Sequence, residues 1–296
     1  MKYYETPIYR LAKKIAPERF KKAFHFFRIS LRARYRALRH YIRIQRPVVR
    51  TLGREWKPNL DIISLLITYD CNLKCPDCYL MGGQLPANDD LSLSQITHFI
   101  KESIENNKKW RLIYVMGGEV TLRPDFLRIL SLLIDYKKNY SPGTTIMVLT
   151  NGYGPQVNSV LAKIPPEVEI YNDRKTSSFN KKHICFTKAP VDCKGYRNAD
   201  FACGCLRTSA CGICLNKYGY YPCNMAAHID RVFGFNLGLK KLPATDSEMV
   251  KLLELFCRYC GGFLYSGYRM PAGFMSPTWE SRLQSYKNAR PNLTEY

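Results

Sequence analysis

Between residues 58 and 190, short apolar runs alternate with amphipathic segments, and this alternation restricts the chain to few folds. Ile62–Thr68 is a continuous apolar, β-branched run, as expected of a strand buried on both faces of a parallel sheet. Further strands are predicted at residues 112–116, 145–149, 168–171 and 183–187, and helices at 91–106, 124–136 and 157–164. Strands that alternate with helices predict an α/β fold with a parallel sheet and right-handed crossovers.

Residues 1–57 differ in composition from the rest of the chain. They hold 17 Lys and Arg against three acids, and they contribute most of the net charge of +21. Apolar residues recur there at steps of three, four or seven: Phe20, Phe24, Phe27, Leu31, Leu38 and Ile42. This spacing predicts one apolar face of a long helix, which Pro17 opens and Pro47 ends. The segment is therefore predicted to be a basic helical arm.

The twelve cysteines of this chain point to metal binding. Basic residues interrupt every apolar run near the N-terminus, so no signal peptide is predicted, and no run of about 18 apolar residues predicts a membrane span. We therefore expect a cytoplasmic protein, in which clustered thiols are metal ligands more often than disulfides. Eight cysteines fall between residues 193 and 260, where a small loop-rich unit held together by a metal centre is expected.

A first cysteine cluster, Cys71, Cys75 and Cys78, follows directly on the first predicted strand. The loop after a parallel strand lies at the carboxyl edge of the sheet, where active sites form. Three thiolates at this spacing can hold three corners of an iron–sulfur cube and leave one iron open. The alternative is a structural zinc site with a fourth ligand from elsewhere in the chain.

The next two predicted strands end in polar turns. Gly117 and Gly118 allow the backbone to approach a ligand closely, and Glu119 offers an anion to an ammonium group. Asn151 lies in the turn after the third strand. Each turn alone is weak evidence, but three polar loops at the carboxyl ends of consecutive strands indicate one site.

These residues resemble the motifs of the radical SAM superfamily, over roughly residues 58–190. Cys71, Cys75 and Cys78 match its CxxxCxxC motif, and residues 117–119 match its GGE motif. The resemblance implies a partial (β/α)6 TIM-like barrel that holds a [4Fe–4S] cluster and S-adenosylmethionine. The open iron would chelate the amino and carboxylate groups of the methionine part. Reductive cleavage would then give a 5′-deoxyadenosyl radical, which abstracts hydrogen from a substrate.

The same resemblance implies further cofactor contacts. The residue before the third cysteine is usually aromatic in the family, whereas here it is Asp77, so Tyr79 is expected to supply the aromatic surface near the adenine. Gly117, Gly118 and Glu119 would hold the amino group of the cofactor, and Asn151 is expected to contact the cofactor as well. Asn172, at the end of the fourth strand, is the expected ribose contact. The sequence assigns no catalytic residue.

A second cysteine group follows residue 200. The turn at Tyr218–Tyr220 predicts a hairpin that brings Cys211 near Cys223, and Cys257 with Cys260 forms a second close pair. Four such thiols suit either zinc or an iron–sulfur cluster, and the alternative is that they are simply buried. Cys205 and Cys214 are rival ligands, and Cys185, Cys193 and Cys203 are expected to be spare thiols.

The order of these features resembles the SPASM/twitch-type auxiliary cluster domains that follow many radical SAM barrels. Cys211, Gly219, Pro222 and Cys223 match that pattern, and Cys257 and Cys260 fit its later part. The resemblance implies one auxiliary [4Fe–4S] cluster. The predicted domains are therefore the arm at 1–57, the radical SAM barrel at 58–195, and the auxiliary cluster domain with the tail at 196–296.

The sequence predicts a radical SAM enzyme whose substrate it does not identify. The resemblance also implies an electron donor such as flavodoxin or ferredoxin. The alternatives are an RNA-modifying radical SAM enzyme that uses the arm, and a non-catalytic zinc- or iron–sulfur-stabilised binding protein. The arm has three interpretations: a helix packed on the barrel, a helix at an anionic membrane surface, and a nucleic-acid-binding segment. Its aromatic residues lie on one face, which favours the membrane over nucleic acid.

Overall fold

The computed structural model describes residues 31–32, 34–86, 88–177, 185–264, 270–271 and 273–296. The chain divides into two compact units, Met1–Arg43 and Ile44–Tyr296. None of the helices among the described residues has the length and apolar character needed to cross a membrane.

In the first unit, the described residues 31–32 and 34–43 are helical. Leu31, Leu38 and Ile42, which belong to the predicted apolar face, are 56%, 58% and 46% exposed. Phe20, Phe24 and Phe27 of that face lie outside the described residues, as does the predicted helix start at Pro17. The helical segment ends before Pro47, and Pro47 itself lies in the first turn of the next helix. Proline is tolerated there because the N–H that it lacks would have no partner within the helix.

The second unit contains a mixed six-stranded sheet. Its strands are β1 (Ile62–Thr68), β2 (Leu112–Gly117), β3 (Thr145–Thr150), β4 (Glu169–Asn172), β5 (Ile213–Asn216) and β6 (Gly219–Tyr221). The strand order is β4-β3-β2-β1-β5-β6. Strands β4 to β5 in this order are mutually parallel, and only β6 is antiparallel to its neighbour.

Eight α-helices accompany the sheet in the described part of this unit. They are α1 (Arg46–Leu52), α2 (Leu93–Glu105), α3 (Phe126–Asn139), α4 (Pro155–Leu161), α5 (Leu206–Ala210), α6 (Asn224–Phe233), α7 (Asp246–Phe256) and α8 (Pro277–Asn288). Short 3-10 helices lie at Val120–Leu122, Pro190–Asp192, Phe201–Cys203 and Gly261–Phe263.

The centre of the sheet is held by apolar burial. Every residue of β1 is buried, as expected of a central parallel strand that is covered on both faces. The helix α2 begins at a capping box, in which Ser92 accepts from the backbone of Gln95 and the Gln95 side chain accepts from the backbone of Ser92. Trp110, two residues before β2, is almost fully buried, and its indole N–H donates to the hydroxyl of Ser103 at 3.0 Å.

The first four predicted strands are present, each within one residue of the predicted bounds at either end. The predicted strand at 183–187 is wrong for its described residues, because 185–187 are irregular and turn-like and 183–184 lie outside the description. The fifth strand is instead Ile213–Asn216, which pairs with β1 on the side away from β2. Its four residues are too few to show a period, and all are buried.

The segment after residue 190 contains more helix than the sequence analysis predicted. It supplies α5 to α8 as well as the predicted hairpin of β5 and β6. Every residue of α6 is buried, so this helix has no solvent-facing polar stripe from which a 3.6-residue period could be read. Because β5 joins β1, this segment also completes the sheet that begins at residue 62.

A buried ion pair fastens the loop that follows the first cysteine cluster to α6. The guanidinium of Arg231 donates to the carboxylate of Asp89 and to the carbonyl of Pro86, and it lies 4.0 Å from the ring centroid of Tyr69. The hydroxyl of Tyr218 donates to the second oxygen of Asp89. Both charged side chains are almost fully buried, so removal of either partner leaves the other charge without compensation.

We therefore expect Asp89→Ala to lower the free energy of unfolding of the apoprotein by about 3–5 kcal/mol. The double variant Asp89→Leu, Arg231→Met should lose clearly less, because no uncompensated charge stays buried. Urea unfolding followed by circular dichroism measures both. A double variant as unstable as the single one would show that the charge pair is not the source of the loss.

Candidate functional site

The three cysteines of the first cluster lie on the loop that leaves the carboxyl end of β1. Backbone hydrogen bonds from Cys78 to Cys75 (3.1 Å) and from Met81 to Cys78 (3.0 Å) wind this loop into consecutive turns. Cys75 is buried, and Cys71 and Cys78 are half-buried. All three line one cavity of about 120 Å³. The structure thus brings together the three thiols that the sequence predicted to act jointly.

Gly117 and Gly118 let the ends of β1 and β2 approach closely. A Cβ at Gly118 would overlap the carbonyl oxygen of Asp70, and one at Gly117 would overlap the carbonyl oxygen of Thr68. The approach is fixed by hydrogen bonds from the Gly118 amide to Thr68 (3.0 Å) and from the Glu119 amide to Asp70 (2.7 Å). Both glycines also line the thiol cavity. Their small size therefore sets where the cysteine loop starts and leaves backbone facing the cavity.

Glu119 lies behind the cavity. Its side chain is fully buried, and its carboxylate accepts from the Thr121 hydroxyl (2.7 Å), the Thr150 hydroxyl (2.8 Å) and the Asn151 amide (2.7 Å). It is not among the described residues that line the cavity. The carboxylate therefore ties the end of β2 to the end of β3.

Asn151 connects the third strand to the cysteine loop. Its side-chain amide donates to Asn72 at 2.9 Å and lies 3.7 Å from the sulfur of Cys71. Asn72 in turn donates to the carbonyl of Tyr153 at 2.7 Å. Asn151 and the neighbouring Thr150 both line the cavity. These contacts hold Cys71 against the turn that follows β3.

Asn172 is not among the described residues that line the cavity. The nearby Asp173 and Lys175 line it instead. The side-chain oxygen of Asn172 accepts from the amide of Arg174 at 2.8 Å. Asp173 and Lys175 line the cavity, and the Lys175 ammonium lies 3.7 Å from Asp173 and 4.0 Å from the sulfur of Cys75. Sequence analysis missed Lys175. Its signal was a basic residue shortly after a strand end, which is too common on surfaces to single it out.

Burial affects two thiols of this cavity. It raises the pKa of Cys71, and it raises the pKa of Cys75 although the Lys175 ammonium acts in the opposite direction. Cys71 and Cys75 are therefore protonated at neutral pH, and a metal that binds them must displace protons. Lys175 supplies the positive charge that favours thiolate at this site.

A larger cavity of about 310 Å³ lies beside the thiol cavity. Tyr79, Met116, Leu149 and Tyr171 line both cavities, so the two share a wall. The ring of Tyr79 also packs edge-on against Phe186, with centroids 5.6 Å apart. The remaining wall of the larger cavity comes from Ser64, Tyr114, Met147, Phe186, Arg207, Cys211, Asn224 and Met225.

Four other thiols line a third, narrow cavity: Cys205, Cys223, Cys257 and Cys260. Its walls are otherwise mainly apolar, with Phe256, Phe263 and Leu253 among them. Burial raises the pKa of Cys223 to about 12 and that of Cys257 well above the usual thiol range. The space between the side chains is only about 10 Å³, roughly the size of one water molecule, so a larger group would have to move them outwards.

Cys211 and Cys214 lie elsewhere. Cys211 lines the larger cavity, and Cys214 is fully buried on β5 and lines neither thiol cavity in the described structure. Cys193 lines a separate surface groove. The structure therefore groups Cys205 with the three later cysteines of the predicted auxiliary set and sets Cys211 apart from them.

No three His, Cys, Asp or Glu side chains among the described residues converge on the position of a single metal ion. In a [4Fe–4S] cube each cysteine binds a different iron, so its ligands do not share one such point. Thiolates are also the ligands that iron–sulfur clusters use. The donor chemistry of both thiol sets thus suits a cluster.

Replacement of Gly118 tests whether the close approach of β1 and β2 shapes the cysteine loop. Gly118→Ala should lower the iron bound per chain after anaerobic reconstitution and destabilise the protein by about 1–3 kcal/mol, because the added carbon overlaps the Asp70 carbonyl. Gly143→Ala is the matched control, since no atom lies within 4 Å of its added carbon. Equal iron content in the two variants would argue against this role.

The residues around the first cysteine cluster are similar to those of known proteins. Residues 65–171 match the model of the Radical SAM superfamily. A Methanocaldococcus jannaschii protein that carries the name glycyl-radical enzyme activating enzyme is 34% identical over 135 residues, which is 44% of this chain and 48% of that protein. A GTP 3',8-cyclase of Haemophilus influenzae is 37% identical over 94 residues, which is 31% of this chain and 26% of the cyclase.

Among solved structures, the crystal structure of BtrN in complex with AdoMet and 2-DOIA is 9% identical, covers 75% of this chain and 98% of its own, and gives a TM-score of 0.40. The chain spans about half the length of the first curated relative and about a quarter of the second. The match to the Radical SAM superfamily model thus extends from β1 to β4 and includes both the cysteine motif and the GGE turn.

Proposed function

We propose that this protein is a radical SAM enzyme that binds a [4Fe–4S] cluster through Cys71, Cys75 and Cys78. The observation that carries the proposal is the gathering of these three thiols around one cavity at the carboxyl edge of the sheet, within the residues that match the superfamily model. Three protein ligands leave one iron of a cube open to a further ligand. Structural zinc, by contrast, takes four protein ligands.

The cavity offers suitable groups for S-adenosylmethionine beside the cluster. When bound, the reduced cluster and the cofactor together supply a radical that abstracts hydrogen from a substrate. The backbone at Gly117 and Gly118 would hold the amino group of the cofactor, and the Lys175 ammonium would pair with its carboxylate. Tyr79 supplies an aromatic surface between the two cavities, and Asn151 keeps the turn after β3 against Cys71.

In this proposal Glu119 is a positioning residue. Its carboxylate is occupied by Thr121, Thr150 and Asn151, so it holds the polar turns in place. Asn172 likewise supports the turn after β4 through the amide of Arg174. We assign the ribose contact at the end of β4 to Asp173 and not to Asn172, because Asp173 lines the cavity.

The two curated relatives name different substrates, an enzyme in one case and GTP in the other. Their names therefore do not select a reaction for this chain. Two further predictions are an electron donor such as flavodoxin or ferredoxin and a cytoplasmic location. Binding of the basic arm to a membrane or to RNA also stays a prediction. The aromatic residues on which the arm predictions depend, Phe20, Phe24 and Phe27, lie outside the described residues.

The cysteine triad is tested by anaerobic reduction in the presence of S-adenosylmethionine. The wild-type protein should form 5′-deoxyadenosine, whereas Cys71→Ala, Cys75→Ala, Cys78→Ala should form none and lose roughly four irons per chain. Cys193→Ala, which changes a thiol in a separate groove, should behave as wild type. Zinc without acid-labile sulfide in the wild-type protein would instead favour the non-catalytic alternative.

We further propose an auxiliary [4Fe–4S] cluster on Cys205, Cys223, Cys257 and Cys260. These thiols come from three separated segments and meet in one cavity whose wall is otherwise mainly apolar. Four converging thiols are the ligand set that an iron–sulfur cluster uses. A cluster there would also connect the segment before β5 to α6 and to the end of α7, and so contribute folding energy. Cys205 replaces Cys211 in the ligand set that the sequence suggested.

Replacement of Cys205 and of Cys211 in separate variants shows which of the two belongs to the auxiliary ligand set. Cys205→Ala should lower iron by roughly four per chain and destabilise the protein, because it removes one ligand of the auxiliary cube. Cys211→Ala should retain the iron, since its thiol faces the larger cavity. Iron analysis and thermal unfolding of both variants decide the question. Loss of iron in Cys211→Ala but not in Cys205→Ala would contradict this ligand set and support the set with Cys211 that the sequence predicted.

A further inference from the structure

We infer that the larger cavity binds a small substrate that carries a carboxylate or a phosphate on an aromatic or otherwise apolar body, and that Arg207 binds the anionic group. This inference rests on the proposed function, because the cavity shares a wall with the site proposed for the cluster and its cofactor. It adds the chemical class of the substrate and the residue that recognises it.

Arg207 brings to this cavity a positive charge that no carboxylate of the described residues pairs with. It lies on α5, and its guanidinium stacks over the ring of Phe186 at 4.9 Å from the centroid. Within the described structure, no carboxylate pairs with this guanidinium and no side chain accepts a hydrogen bond from it. By contrast, Arg231 and Arg258 are each paired with a carboxylate.

The geometry of a guanidinium suits a planar or tetrahedral anion. Its N–H donors form a rigid fork that matches two oxygens of a carboxylate or a phosphate. Contact with the Phe186 ring restricts the Arg207 side chain before a ligand arrives, which reduces the entropy lost on binding. The donors of Arg207 that meet no protein acceptor are thus oriented for a ligand anion.

The charge of the cavity wall has one sign. Among the described residues that line the larger cavity there is no Asp or Glu, and Arg207 is the one Lys or Arg. A cationic substrate would therefore meet repulsion without a compensating carboxylate, whereas an anionic one would meet a partly desolvated guanidinium. Charge-assisted hydrogen bonds of this kind are stronger than hydrogen bonds between neutral groups.

The rest of the wall selects an apolar body. The rings of Tyr79, Tyr114 and Tyr171 face the cavity together with Met147 and Met225. Aromatic and thioether side chains pack favourably against flat apolar groups. The three phenol hydroxyls make no hydrogen bond to another described side chain or to the described backbone, so they are available to polar substituents of the ligand.

The size of the cavity limits the substrate. A volume of about 310 Å³ is at the lower end of the range for small-molecule sites and has to accommodate part of the cofactor as well. A small molecule fits this space, whereas a folded domain or a nucleic-acid duplex does not. The reacting carbon of such a molecule lies on the Tyr79 and Tyr171 side, next to the thiol cavity, while its anionic group points to Arg207.

The test uses the full chain, reconstituted anaerobically, with 3-phenylpropionate and phenyl phosphate as anionic probes and 3-phenylpropionamide as the neutral control. Saturation-transfer NMR should show at least one anionic probe binding about 10- to 100-fold more tightly than the amide. Arg207→Gln should abolish this preference. The matched control Arg282→Gln changes another arginine that stacks on a phenylalanine but lies outside the cavity wall, and it should keep the preference.

Because Arg207 also borders the cavity of Cys205, iron content is measured for each variant. If Arg207→Gln loses iron, Arg207→Lys replaces it. This variant keeps the charge without the planar fork and should reduce the preference several-fold. Equal binding of the anionic probes and the amide by the wild-type protein would overturn the inference, as would an unchanged preference in the Arg207 variants.

The proposed function has its own readout in the same samples. If 5′-deoxyadenosine forms but no anionic preference is seen, the substrate class is wrong and the proposed function stands. If the anionic preference is seen but no 5′-deoxyadenosine forms, the cavity is an anion site and the proposed function is wrong. Tight binding of short RNA in competition with the probes would also overturn the small-molecule class.

Discussion

The close approach of the ends of β1 and β2 is the constraint on which the rest of the site depends. Gly117 and Gly118 leave no room for a side chain against the carbonyls of Thr68 and Asp70. The cysteine loop therefore leaves the sheet at one fixed place, and hydrogen bonds from the Gly118 and Glu119 amides hold it there. The three thiols can share a cavity because their common starting point is fixed in this way.

Two buried polar networks then fix the loop at its other points of contact. The Glu119 carboxylate joins the turns after β2 and β3 by accepting from the backbone amide of Asn151. The side-chain amide of Asn151 in turn contacts the sulfur of Cys71. Further along the loop, Asp89 meets Arg231 of α6. Because both networks are buried, their hydrogen bonds are stronger than they would be in water. For the same reason, loss of one partner is strongly destabilising. The carboxylate of the GGE turn thus contributes to the site by holding its walls.

The three cavities form a series in which neighbours share wall residues. The cavity of Cys71, Cys75 and Cys78 shares Tyr79 with the larger cavity, and the larger cavity shares Arg207 and Met225 with the cavity of the later cysteines. A substrate in the middle of this series would lie between two proposed clusters. Cys205 and Cys211 are only six residues apart, yet the short helix α5 between them places them in different cavities.

The sequence by itself determined the first four strands, the helices between them, the hairpin and the cysteine triad, because these features depend on local apolar periodicity and on residues close together in the chain. It did not determine that the hairpin strand β5 joins the sheet beside β1, nor the buried helix α6, the place of Lys175 or the grouping of Cys205 with the three later cysteines. Those features depend on contacts between distant segments: β5 pairs with a strand from far earlier in the chain, and every residue of α6 is buried, so its sequence shows no polar stripe. The tertiary structure also buries the carboxylate of Glu119, where it accepts hydrogen bonds from the hydroxyls of Thr121 and Thr150 and from the backbone amide of Asn151. These partners come from two strand ends that only the folded sheet brings together.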